Sequence, residues 1–241
     1  MIRSWFMDWG YSSSIVIFAE DYFNVGLDYL GSWGFVDRDN IGGIGICGCG
    51  GFLIGTTAID KRIKAVVTSS MYDIPGLDVD ADDATWQSSI DSLAKQRWKD
   101  VDNGYPLYIS SFWADREYKN GKIPALKEDA TLDNYEEWYT FYVTERGHHP
   151  KSTGGFTETS PFSINKFPVT YHIGKITPRP ILFITGYIAH SKSFSETAYN
   201  KAKQHKELYI VQDNCMHIDL YDDTSEIPFD KIQSFFDNNL K

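Results

Sequence analysis

Apolar positions along this chain change their period several times, and the changes mark its elements. Residues 18–31, FAEDYFNVGLDYLG, place Phe18, Tyr22, Val25, Leu27, Tyr29 and Leu30 at roughly helical spacing and stop on Gly31, which predicts an amphipathic helix. DRDNIGGIGIC (37–47) then passes from a polar turn into an apolar run. GGFLIGTTAID (50–60) reads as a short helix and RIKAVVTSSMYD (62–73) as a β-branched strand. Strand, helix, strand in that order predicts a parallel pair with a crossover. Towards the C-terminus RPILFITG (179–186) and KELYIVQD (206–213) are two further short apolar runs. The helix-like SETAYNKAKQH (195–205) separates them, and IPFDKIQSFFDNNL (227–240) follows at helical spacing. The alternation is that of an α/β protein.

Between these halves the alternation breaks. Residues 77–170 are polar and rich in aromatics, and carry two helix-like segments, DDATWQSSIDSLAKQRWKD and LDNYEEWYTFYVTERG. Because the chain returns to β-type runs afterwards, this stretch reads as an inserted helical cap. That divides the chain into an N-terminal core segment (1–76), the cap (77–170) and a C-terminal core segment (171–241). Trp86, Trp98, Trp113, Trp138, Phe141 and Tyr142 would form the cap's own core or line an apolar acyl pocket. His148 and His149, just before a proline, read as a solvated turn.

At 241 residues the chain is long enough to bury a real core. A formal charge of −10 and a pI near 5.0 oppose a phosphate-rich partner, since nucleic-acid binding rests on Lys and Arg. The N-terminal stretch MIRSWFMDWGYSSSIVIF is interrupted by Arg3, Asp8 and a serine run, so it has the apolar length of neither a secretory h-region nor a membrane span. Three cysteines, two of them on one turn, make no disulfide framework. The expectation is a cytoplasmic protein that engages neither membrane nor nucleic acid.

The turn IGICGCGG (44–51) admits three chemistries. Gly43, Gly45 and Gly48 fit GxGxxG, the dinucleotide fingerprint, but an acidic residue should then end the next strand, and Asp73 comes late, after a serine pair. On this reading the chain is a nicotinamide- or flavin-binding module. Cys47, Cys49, Cys215 and His217 form a CxC and a CxH pair, a conceivable zinc set, although zinc ligands usually stand further apart. The third reading is a nucleophile elbow, with Gly45, Ile46, Cys47, Gly48, Cys49 and Gly50 in the pattern Gly-x-nucleophile-x-small-small. A helix N-terminus just after Cys47 would favour its thiolate, and the Gly48 amide would face a developing oxyanion. Cys49 is the alternative nucleophile; Cys47 is preferred because the strand ends one residue before it. An elbow cysteine needs a histidine base, and LYIVQDNCMHIDLYDD supplies His217 in a polar loop after the last strand.

GICGCGGF, DKRIKAVVTSSMYD, YVTERGHHPKST, PRPILFITGYIAHSKSFSE and HIDLYDDTSEIPFDKIQSFF, in that order, resemble the dienelactone-hydrolase-like branch of the α/β-hydrolase superfamily from about residue 16 to the C-terminus. The resemblance implies a mainly parallel sheet, a Cys or Ser nucleophile, a late histidine, an acid after a later strand, and esters, lactones, thioesters or related acyl compounds as substrates; neither cofactor nor metal is expected. Two departures stand out. Only 46 residues precede Cys47, with no HGGG-type loop to donate a second oxyanion amide, so the fold is expected to lack its first strands. An open apolar edge would then favour a homo-oligomer. After ILFITG, where relatives would carry an acid, the chain reads Tyr187, Ile188, Ala189, His190. Glu196 is the first candidate to orient His217 and Asp73 the second. A site with these losses is expected to be slow or single-turnover; the alternative is a non-catalytic interaction protein built on a hydrolase fold.

Overall fold

The computed structural model of the protein describes residues 15–74, 82–110, 134–142, 144–147, 155–164 and 169–241. The elements run α1 (Ile15–Gly31), β1 (Ile41–Ile46), α2 (Gly48–Ile59), β2 (Ile63–Ser69), α3 (Asp83–Asn103), β3 (Tyr108–Ser110), α4 (Asn134–Tyr142), β4 (Gly155–Thr157), α5 (Pro161–Ile164), β5 (Ile181–Gly186), α6 (Lys192–Lys201), β6 (Lys206–Val211), α7 (Asp219–Asp222) and α8 (Phe229–Asn239). They fall into two compact units, one made of Ser14–Ala81 with Ser163–Lys241, the other built around Asp82–Phe162.

The first unit is a parallel sheet in the order β1-β2-β5-β6, flanked by helices. Every residue of β5, ILFITG, is buried, as is all of β2 except Lys64, because both strands lie inside the sheet with both faces covered. Alternation along them, broken once by the register shift between the Ile41–Ile63 and Gly42–Ala65 pairs, sorts the core into two layers. Ile63 and Val66 of β2 and Ile181 and Phe183 of β5 pack with Leu27, Leu53, Ile54 and Ala198 on one face. Ala65, Val67, Leu182 and Ile184 pack with Leu220 and Phe235 on the other. Fully burying one such side chain contributes about 1.5–3 kcal/mol. Arg179 then clamps the crossover, donating to the carbonyls of Thr57, Asp60 and Ile63 at 2.6–2.8 Å.

The amphipathic reading of α1 needs correcting. Leu27 is buried, with Phe23 packed against the same cluster, whereas Val25, Tyr29 and Leu30 are exposed. Positions 23 and 27 stand one turn apart on the inner face, and 25 and 29 stand on another. β1 is likewise uncovered in part, with Ile44 and Ile46 exposed, and β2 is its sheet neighbour among the described residues.

In the second unit Asp82 caps α3 by accepting from the Thr85 amide at 2.9 Å, and Gly104, at φ 76°, ends it. β3 and β4 form an antiparallel pair. Buried Asp100 accepts from the Leu107 amide at 3.0 Å and from Gln96 Nε2 at 2.8 Å, which ties the end of α3 to the approach to β3. Trp138 and Tyr142 stack at 5.9 Å on α4, while Trp98 is exposed. Trp113, His148 and His149 lie outside the described residues.

Candidate active site

The C-terminal ends of the parallel strands bring the chemistry together, as is general for open α/β sheets. The Cys47 amide, which follows β1, continues the ladder by donating to Ser69 O at 3.0 Å. The chain then reverses direction in a single residue: Cys47 sits at φ 56°, ψ −131°, and α2 begins at Gly48. For a side chain with a Cβ this lies far from the left-handed basin near ψ +30 to +60° and costs on the order of 1–3 kcal/mol. The Cys47 carbonyl is held from two sides, accepting from the Gly50 amide at 2.9 Å and the Tyr72 amide at 3.0 Å. A turn this tight leaves no room for side chains on the crossing backbones. A Cβ on Gly45 would stand 2.6 Å from Cys49 O and 2.7 Å from Gly50 Cα.

Ser70 follows β2 in the left-handed region at φ 46°, buried, its amide donating to Ile184 O and its Oγ to His217 O at 3.0 Å. Ser70 thus tethers the histidine loop to the sheet. That loop also passes directly over the end of β5, where a Cβ on Gly186 would collide with Cys215 O. The Ile188 amide donates to the same oxygen at 3.2 Å.

His217 is fully buried. Nδ1 lies 2.6 Å from Ser191 Oγ and Nε2 lies 2.8 Å from the Tyr221 hydroxyl. The His190 ring stacks on it with centroids 4.8 Å apart, and the Tyr72 and Tyr221 rings stand at 5.1 and 5.3 Å. Burial, reinforced by the neighbouring His190, pushes the His217 pKa down to about 3, so the ring is neutral at physiological pH. Cys47 is half-buried. Burial raises its thiol pKa, against hydrogen bonds from the Tyr221 hydroxyl and the Gly48 amide that favour the thiolate; Cys49 adds a smaller upward push. The expected net lowering by the helix N-terminus is therefore overturned, because desolvation outweighs it. The resting site is an uncharged thiol beside an uncharged imidazole.

The acids expected from the sequence stand elsewhere. Glu196 is 42% exposed on α6, facing Lys192 at 4.0 Å. Buried Asp73 accepts from Thr170 Oγ1 at 2.7 Å, and Lys201 donates to that threonine oxygen at 3.2 Å. Neither carboxylate hydrogen-bonds His217; Ser191, at the start of α6, meets its Nδ1. Sequence reasoning passed over Ser191, Ser70 and Tyr221. Two of them left a signal: Ser191 adjoins His190 in the segment where an acid was sought, and Tyr221 follows His217 by four residues at the start of a helix, the spacing that puts two side chains on one face.

The competing readings of the turn meet the same geometry. Gly43 and Gly45 face protein: Leu53 would touch a Cβ on the first, at 3.0 Å, and the first turn of α2 one on the second. In a dinucleotide site the corresponding space admits the pyrophosphate. Cys49 is exposed in the first turn of α2, and buried Cys215 directs its Sγ to Met216 O at 3.6 Å. Among the described residues no three His, Cys, Asp or Glu converge as a metal set, and no helix is long and apolar enough to cross a membrane.

No family model matches the chain. Among curated proteins it is 40% identical over 226 residues to the uncharacterized protein PA2218 of Pseudomonas aeruginosa, covering 90% of this chain and 57% of that one. The crystal structure of PA2218 superposes with a TM-score of 0.80 and 37% identity, over 92% of this chain and 67% of that chain. The chain belongs to the PA2218 family. It thus spans little more than half the length of that curated relative. The uncharacterized protein YcjY of Escherichia coli K12 is 28% identical over 199 residues, 81% of this chain and 62% of that one. The α/β hydrolase GrgF from a Penicillium species superposes with a TM-score of 0.66 at 15% identity, over 92% of this chain and 71% of that chain. The PA2218-family fold seen here is thereby that of the α/β hydrolases.

Proposed function

We propose that this chain carries the site of an acyl hydrolase of the dienelactone-hydrolase-like kind, acting on an ester, lactone or thioester through Cys47. The observation that carries the reading is the backbone of Cys47 itself. A residue with a side chain is held at φ 56° in a one-residue turn from strand to helix, and strain of that kind persists where it presents a nucleophile. His217 is the base. The Gly48 amide, already directed at the Cys47 sulfur, is a donor for the oxyanion. Sulfur attacks the acyl carbon, the carbonyl π electrons move onto oxygen, and collapse expels the alkoxide or thiolate, which takes up a proton. Water then releases the acid from the thioester. Cys49, exposed and within regular helix, lacks the strained presentation of Cys47.

The test is pre-steady-state release of p-nitrophenol from p-nitrophenyl acetate. The expected result is a burst of about one equivalent with slow turnover after it, abolished in Cys47→Ala and in His217→Ala and retained in Cys49→Ala. A burst that survives Cys47→Ala would place the nucleophile elsewhere.

A further inference from the structure

Between the two groups just assigned stands a third. The Tyr221 hydroxyl lies 2.8 Å from His217 Nε2 and is also the neighbour that favours the thiolate of Cys47, so it stands next to both groups. The hydrogen bonds are consistent in one direction. If Nδ1–H of His217 donates to Ser191 Oγ, then Nε2 carries the lone pair and the Tyr221 O–H donates to it, which leaves the Tyr221 oxygen to act as an acceptor towards the neighbouring Cys47 thiol. Among the described residues, His190 and Tyr72, after β5 and β2, lie against the faces of the ring at ring-to-ring distances.

We propose that Tyr221 is the proton relay between Cys47 and His217, so that the thiol is activated through a phenol and not by direct contact with the imidazole. The proposal rests on the reading of Cys47 as nucleophile and His217 as base. As the S–H bond breaks, its proton passes to the Tyr221 oxygen while the phenolic proton passes to Nε2. The products are a thiolate, a neutral tyrosine now donating to sulfur, and an imidazolium. When the tetrahedral intermediate collapses, the same path returns the proton to the leaving group. The burial that keeps His217 neutral also makes separated charges costly, so thiolate and imidazolium must form together. A polarisable hydroxyl held between them allows that without opening the site.

The experiment is the rate of Cys47 alkylation by iodoacetamide from pH 5 to 10, followed by peptide mapping, in the wild-type chain, Tyr221→Phe, His217→Ala and the double variant. The relay predicts that Tyr221→Phe slows alkylation at neutral pH by roughly tenfold, the scale of one lost hydrogen bond to a charged group. It predicts a similar loss in His217→Ala and no further loss in the double variant, because the two act as one path. Alkylation in Tyr221→Phe that is as fast as wild type or faster, or losses that multiply in the double variant, would overturn it. Circular dichroism melts identify a variant that has not folded. In that event 3-fluorotyrosine at position 221, isosteric with a more acidic phenol, is expected to shift the alkylation profile to lower pH, and an unshifted profile overturns the relay. Alkylation does not depend on acyl chemistry. An absent ester burst with the Tyr221 effect intact therefore rejects the hydrolase reading alone, and a Cys47-dependent burst with no Tyr221 effect rejects the relay alone.

Discussion

The two halves of the site are built by different means. The cysteine turn is made by backbone: a strained residue, small neighbours where chains cross, and a carbonyl fastened by two amides. The histidine pocket is made by side chains: hydroxyls of Ser191 and Tyr221 on the ring nitrogens, a second imidazole on its face, and Ser70 holding its carbonyl. The first fixes where the Cys47 side chain points. The second, by burial, favours the neutral form of His217. Among the described residues the difference teaches that an elbow-like turn can stand beside a histidine whose ring nitrogens meet hydroxyls, while Glu196 and Asp73 pair elsewhere.

The largest expected effect separates the pocket from the turn by pH. His217 is neutral in the folded chain down to about pH 3 but takes up a proton near pH 6.5 when unfolded. Its contribution to stability is therefore fully present above pH 6.5 and is lost as pH falls towards 3, at no more than about 1.4 kcal/mol per pH unit. Urea unfolding at a series of pH values should show this slope. His217→Asn should flatten it, and an equal slope in that variant would show that other groups carry the acid sensitivity.

Next comes the turn, which should respond to volume alone. Gly45→Ala and Gly186→Ala each place a methyl group against backbone and should destabilise by about 1–3 kcal/mol, a fall of several degrees in Tm. Gly26→Ala, in α1 with nothing within 4 Å, should do the opposite and stabilise by up to about 1 kcal/mol. A common sign for all three would remove the case for close approach at the elbow.

Within the pocket, Ser191→Ala removes the Nδ1 partner and should slow the ester burst by about tenfold, whereas Glu196→Gln should change it less than about twofold. The reverse ranking, read from burst kinetics, would reinstate Glu196 as the orienting acid. The smallest effect concerns assembly. With Ile44 and Ile46 exposed on β1, light scattering is expected to show self-association that Ile44→Lys weakens; a monomer at high concentration contradicts this.

How much of this was legible in the sequence follows from the same division. The sheet strands announce themselves by β-branched runs, and the elbow by glycines around Cys47, because steric constraints are written in residue size. His217 is legible by its place after the last strand. Its partners are not, since a lone serine or tyrosine has no pattern that separates it from any other, and the acids the sequence offers, Glu196 and Asp73, face Lys192 and Thr170 in the fold. The exposure of Val25 and Tyr29 was hidden for a related reason. Helical spacing shows which residues share a face, but α1 is apolar on more than one face, and only packing decides which is covered.

The central claim, that Cys47 is the presented nucleophile, is tested most directly by finding where the acyl group goes. After a single-turnover exposure to p-nitrophenyl acetate, acid quench and peptide mapping by mass spectrometry should place one acetyl group on the peptide containing Cys47. The label should persist in Cys49→Ala and vanish in Cys47→Ala. Acetyl found on Cys49 or on a serine, or label that survives Cys47→Ala, would contradict it.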